Sequence, residues 1–120
     1  MEIKKEIKRK GYAVRLAAEE DGKEVGHAYV YIIFQDRHVE PYAYLENVYV
    51  EKEHRSHGVG TKLITQAIAE AKERGCYKII GTSKAHKTEV HAWYERHGFT
   101  KVGVEFRMDL IEGSKVITKD

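Results

Sequence analysis

The chain has 120 residues and a mass of 13.9 kDa, the size of one domain with a hydrophobic core of its own. Apolar residues make up 42% and charged residues 33%, which excludes a disordered or collagen-like chain, and no apolar run approaches the ~20 residues that cross a bilayer. Twenty-one Lys and Arg against nineteen Asp and Glu leave a net charge of +2, too balanced to point to a nucleic-acid partner.

The elements follow from hydrophobic period, in chain order. The basic start, MEIKKEIKRK, reads as a solvated end; it carries no apolar stretch, so no secretory signal is expected and the cytoplasm is the expected location. Tyr12 to Ala18 alternates, with Tyr12, Val14 and Leu16 on one face. Asp21-Gly22 is a hairpin signal. Val25 to Phe34 forms the second strand, with Tyr29, Tyr31 and Ile33 on one face and Ala28, Val30, Ile32 and Phe34 on the other. A third strand is expected from Tyr42 to Val50, covered on both faces because its apolar content is continuous. From Gly58 to Arg74 the period changes: Val59, Leu63, Ile64, Ala67, Ile68 and Ala71 predict an amphipathic helix stopped by Gly75. Tyr77 to Ile80 reads as a short strand, Thr88 to His97 as a second helix, and Thr100 to Leu110 as a final strand. The order β-β-β-α-β-α-β predicts a layered α/β domain, core about 11–110, in which a hairpin and a parallel crossover share one mixed sheet.

The most informative segment follows the third strand. Arg55-Ser56-His57-Gly58-Val59-Gly60 opens the first helix. The first N–H groups of a helix lack intrahelical partners and can receive phosphate oxygens. Arg55 and Lys62 add positive charge there. The spacing is neither that of a Walker loop nor Gly-x-Gly-x-x-Gly, so on spacing alone phosphate binding and a turn serving only tight packing stand as alternatives.

Arg-x-x-Gly-x-Gly at 55–60, after Leu45-Glu46-Asn47-Val48-Tyr49-Val50, resembles the acetyl-CoA pyrophosphate motif of the GNAT superfamily of N-acetyltransferases. Trp93-Tyr94-Glu95-Arg96-His97-Gly98-Phe99 resembles a second recurring stretch of that superfamily. The resemblance implies the acyl-CoA N-acyltransferase fold: a mixed, mostly antiparallel sheet with helices on both faces. Within the superfamily, Gly75 to Ile80 and Val102 to Glu105 resemble glucosamine 6-phosphate N-acetyltransferase. The chain departs from that enzyme at Gly81-Thr82-Ser83, and it reaches its first hairpin without the helices that usually cover the acceptor site. An acceptor pocket left open, or completed by a second subunit, is the expectation.

The resemblance implies direct transfer of an acetyl group from acetyl-CoA to a primary amine, of a small molecule or a protein. Val48, Tyr49 and Val50 would meet the pantetheine arm, and Arg55, Ser56, His57, Gly58, Val59, Gly60 and Thr61 the pyrophosphate. Lys87, where relatives often carry Asn, would meet the cofactor or an acidic acceptor. Tyr94 is the expected general acid, because a phenol with a pKa near ~10 keeps a proton for the leaving thiolate. Glu46, near the predicted splay and sharing a face with Tyr44 and Val48, is the expected base; Tyr49, Glu89 and His91 are weaker candidates. No metal is expected: His54/His57 and His91/His97 lack companions at zinc spacing. Trp93 and Cys76 read as core residues, and a single cysteine permits no intrachain disulfide. A non-catalytic acyl-CoA sensor is the alternative. Neither nucleic acid nor membrane is an expected partner. A homodimer is expected, through the edge strand 100–110.

Overall fold

A computed structural model describes residues 1–117. Four strands lie in the order of the sequence: β1 (Tyr12–Glu20), β2 (Lys23–Ile33), β3 (Tyr42–Val50) and β4 (Ile79–Gly81). The first three pair antiparallel, and β4 runs parallel to β3. Helix α1 (Val59–Glu73) lies between β3 and β4 in sequence, and α2 (Thr88–Arg96) follows β4. The expected mixed α/β architecture is therefore present.

The hairpin turns on Asp21 and Gly22, both with positive φ (51° and 76°), the pair of left-handed positions that a two-residue turn matched to strand twist requires. The core is one layer between sheet and helix. Ala28, Val30 and Ile32 of β2 and Ala43 and Leu45 of β3 face Val59, Leu63, Ile64, Ala67 and Ala71 of α1. Ile64 and Val30 are fully excluded from water. Truncating a side chain so enclosed, as in Ile64→Ala, costs about 2–5 kcal/mol.

The other sheet face departs from expectation. On β3 the residues opposite the core, Tyr42 and Tyr44, are half-buried and Glu46 is exposed, so one face of the strand is covered rather than both. Tyrosine makes the sequence read as continuously apolar, yet its ring can pack while its hydroxyl stays wet.

Asn47 changes the strand's alternation. It has φ 56°, in the left-handed region where Asn is among the tolerated residues. Tyr29 pairs with Glu46 and His27 with Tyr49, so β3 spends one more residue than β2 between these pairs: a β-bulge. Val48 and Val50 pack against the core beside α1, and Val48 does not share the face of Tyr44 and Glu46 as regular alternation predicts. Pairing of β3 with β4 ends at Leu45↔Gly81, just before the bulge, and the two strands part there.

Thr100 to Leu110 forms no strand. Every described residue beyond Phe99 is exposed, and none joins helix or sheet. A strand requires a neighbour for its backbone groups, and within this chain the segment has none. The radius of gyration, 16.5 Å, exceeds the ~14 Å of a compact chain of this length because both termini project from the core. Among the described residues no helix is long and apolar enough to cross a membrane.

Candidate active site

The gap between the parting strands is a cavity of about 550 Å³. Its β3 wall runs from Leu45 to Val50, joined by Arg55 and Gly60 from the turn and helix start and by Thr82, Ser83, Lys84 and Lys87 from the segment after β4. Val90, Trp93 and Tyr94 of α2 close it.

The turn leading to α1 is shaped by its backbone. A single 3-10 turn (Lys52–His54) follows β3, Ser56 and Gly58 adopt φ of 73° and 80°, and Gly58 caps the helix. The two glycines differ. Gly58 is required by its φ, whereas Gly60 lies in ordinary helical conformation and a Cβ there would meet only Trp93 Cζ2 at 3.8 Å and Val50 Cγ2 at 4.0 Å. Tight internal packing therefore does not account for glycine at 60; its bare backbone borders the cleft. Arg55 donates from Nε to the Val50 carbonyl at 2.9 Å and lies over the Tyr49 ring, which fixes it at the strand end.

Of the residues expected to meet the cofactor, Val48, Tyr49, Val50, Arg55, Gly60 and Lys87 line the cleft. Ser56, His57, Gly58, Val59 and Thr61 do not line it, and the Val59 side chain is buried in the core. Thr82, Ser83, Lys84, Val90 and Trp93 were not among the expected site residues. Trp93 packs partly on the core, as expected of it, but also walls the cleft. A hydroxyl-rich loop just after a parallel strand is the sequence signal for Thr82 and Ser83, since ligands gather at the carboxyl ends of such strands.

Tyr94 lies directly over Gly81. A Cβ on Gly81 would sit 2.6 Å from Tyr94 Cε1 and 2.7 Å from its hydroxyl oxygen, so β4 must end in glycine for the ring to occupy this place. Phe99 packs against the same ring at 5.1 Å. Burial raises the Tyr94 pKa above the ordinary phenol value, with a smaller contribution from nearby Tyr44. Tyr44 in turn shares a hydrogen bond with Thr82 Oγ1 at 3.2 Å.

Glu46 borders a second cavity of about 660 Å³ on the aromatic sheet face. The Tyr31 and Tyr44 rings lie on this face and Lys8 and Lys10 also line the groove, whereas Tyr12 and Phe34 border it from the core side, where the Tyr12 hydroxyl accepts from Arg74 at 3.2 Å. Tyr29 stacks on Tyr31 at 5.8 Å, and Tyr31 meets Tyr44 at 6.5 Å. Glu46 is the residue that lines both cavities.

The remaining candidates lie apart. Glu89 does not line either cavity, and His91 is bound through Nε2 to the Lys84 carbonyl at 3.0 Å, which braces the 82–87 loop. His54 and His57 form an edge-to-face pair, with His54 Nδ1 3.1 Å from a Glu20 carboxylate oxygen. No group of three or more potential metal-binding side chains occurs among the described residues. Cys76 is half-buried ahead of β4, outside both cavities, and burial pushes its thiol pKa up, away from a reactive thiolate.

A mixed sheet thus parts beside a glycine turn, with a tyrosine over the parting point. Residues 2–99 match the acetyltransferase (GNAT) family, and the chain belongs to it. It is 32% identical over 103 residues to an aminoglycoside N(6')-acetyltransferase type 1 of Stenotrophomonas maltophilia, a match covering 82% of this chain and 67% of that protein. A probable glucosamine 6-phosphate N-acetyltransferase of rice (Oryza sativa subsp. japonica) is 34% identical over 62 residues, 52% of this chain and 36% of that one. Among solved structures, an acetyltransferase described as putative from Agrobacterium tumefaciens superposes with a TM-score of 0.76 at 33% identity, covering 81% of this chain and 68% of that one. Acetyl transfer from acetyl-CoA is the general activity these relationships support.

Proposed function

We propose that the chain transfers an acetyl group from acetyl-CoA to a primary amine by direct attack, with Tyr94 as general acid and Glu46 as general base. The observation that carries this reading is that Glu46 lines both cavities. A donor held in the cleft and an amine held in the aromatic groove would come together at that carboxylate.

The residues on the cleft fit the donor. Arg55, Lys84 and Lys87 offer cationic groups for phosphates, and the uncrowded backbone at Gly60 admits close approach of a pyrophosphate to the helix start. The β3 wall beyond Leu45, which no longer pairs with β4, has backbone groups for an extended, amide-bearing arm. Acetyl-CoA supplies the activated acyl group as a thioester.

The chain's own part is positioning and proton movement. Glu46 takes a proton from the ammonium form of the acceptor, directly or through one water, so that the neutral nitrogen can attack. Tyr94, with its pKa raised by burial, stays protonated across the physiological range and donates from its hydroxyl as the thiolate leaves, and the proton shed by the attacking nitrogen as it becomes the amide restores the phenol. The tyrosine-walled groove, with Lys8 and Lys10 beside it, suits an amine carried on a ring or sugar scaffold with an anionic group. Amino sugar phosphates fall in that class, in keeping with the partial likeness to glucosamine 6-phosphate N-acetyltransferase.

Calorimetric titration with acetyl-CoA, followed by thiol release against an amine panel containing glucosamine 6-phosphate, an aminoglycoside and a lysine-rich peptide, tests the reading. Binding with thiol release is expected. Binding without release across the panel would favour an acyl-CoA sensor, and absence of binding would remove the assignment of the cleft.

A further inference from the structure

The segment that joins β4 to α2, residues 82–87, carries two of the three cationic side chains that line the cleft, Lys84 and Lys87; the third is Arg55. Both lysines are exposed, and among the described residues neither is in an ion pair. The local sequence does little to fix them. Thr82-Ser83-Lys84-Ala85-His86-Lys87 holds no Pro or Gly. Lys87 stands at the N-cap of α2, where Ser, Thr, Asp or Asn would bond the helix start, and it makes no such side-chain bond.

The loop is gathered instead at the Lys84 carbonyl. The Lys87 N–H donates to it at 3.1 Å and closes the turn, and Ser83 Oγ approaches at 3.4 Å. From one turn into α2, His91 reaches back to the same carbonyl with Nε2 at 3.0 Å. A carbonyl oxygen only accepts, so this ring nitrogen carries the hydrogen. The His91 backbone N–H also donates to the Lys87 carbonyl at 3.2 Å. One residue thus holds the backbone of both lysines, while itself lining neither cavity.

We propose that His91 is a positioning residue for the acyl donor: its Nε2–H fixes the Lys84 backbone so that Lys84 and Lys87, with Arg55, meet the phosphates of acetyl-CoA. A lysine side chain is long and loses rotamer freedom when it grips a ligand, so a fixed backbone lowers the ordering cost of binding. The sequence allows His91 a part as a base. The geometry gives it a structural task at the donor, because Nε2 is engaged as a hydrogen-bond donor away from both cavities. The inference rests on the reading of the cleft as the donor site.

The test is calorimetric titration of the full chain with CoA at low and high salt, for the wild type, His91→Phe and His91→Gln. His91→Phe keeps a ring and removes the donor; His91→Gln keeps an N–H donor of similar reach. At low salt His91→Phe should bind CoA about tenfold more weakly, and His91→Gln within about threefold of the wild type. At about 1 M salt the screening length falls to ~3 Å, the lysines count for little, and the wild type and His91→Phe should agree within about twofold. Urea unfolding checks that each variant is folded, and His91→Ala replaces His91→Phe where the phenyl ring is not accommodated. Wild-type affinity in the variant lacking the donor overturns the proposal and leaves the donor reading standing. So does a loss that persists at high salt, or one that His91→Gln does not restore. A wild-type chain that does not bind CoA overturns the donor reading and this proposal with it.

Discussion

The cleft between β3 and β4 takes much of its wall from backbone, whereas the groove beside it is walled by rings. Along the cleft, Asn47 and Gly60 shape the path of the chain, while Ser56 and Gly58 set the turn that leads to the helix beside it. Along the groove, Tyr31 and Tyr44 set the surface. The difference teaches which region can vary in specificity. Backbone donors accept one kind of ligand whatever the neighbouring side chains are, which suits a shared acyl donor. A ring-lined surface is rewritten by single substitutions, which suits an acceptor that differs between relatives.

Substitutions on the two sides should therefore separate in their effects. The largest is expected at Tyr94. Tyr94→Phe keeps the ring over Gly81 and removes the proton, so turnover should fall by about 1,000-fold while acetyl-CoA affinity holds within about twofold. Paired thiol-release and titration measurements check this; equal loss of both would mean a structural role. The same variant sharpens the pH dependence. A raised pKa in the folded protein means that the acid form persists to higher pH than in a free phenol, so wild-type activity should decline only above ~10, and Tyr94→Phe should lose that alkaline limb.

Next in size is Gly81→Ala. The added methyl would occupy the space of the Tyr94 ring, which must then shift, and a displacement of that order costs about 100-fold in turnover. Tyrosine fluorescence and unfolding by denaturant would show the fold retained. Full activity would mean that the ring's position over β4 is immaterial. Glu46→Gln follows, with roughly a tenfold fall in kcat/KM that eases as the pH is raised and the acceptor amine deprotonates by itself. A loss independent of pH would argue for a positioning role instead. The smallest effect is expected at Tyr31→Ala, which should raise the acceptor KM by about threefold and leave acetyl-CoA binding alone. A change in cofactor affinity would break the division between the two cavities.

Much of this arrangement was legible in residue order. The period change at Gly58 and the Asp21-Gly22 turn placed the helix and the hairpin within a residue or two, because each is dictated locally. The motif at 55–60 and Tyr94 pointed to the cleft they border or approach. Three features were not legible. Thr100 to Leu110 carries a strand pattern, but pattern alone cannot say whether the chain itself provides a neighbour. The cover on β3 was overestimated because tyrosine is counted as apolar and behaves as both. The face of Val48 depended on a bulge, for which a lone Asn inside a strand is a faint signal.

Asn47 is in this sense an extra beat in the strand. Upstream, the rhythm is set by pairing with β2 and puts Glu46 on the ring-lined face; downstream, it is set by packing on α1 and puts Val48 inward. Removing the beat would leave both on the faces they now occupy, because a regular strand alternates between adjacent residues. What it would remove is the register shift against β2 just past Glu46. The parting of β3 from β4 thus falls beside a single inserted residue, which itself lines the cleft.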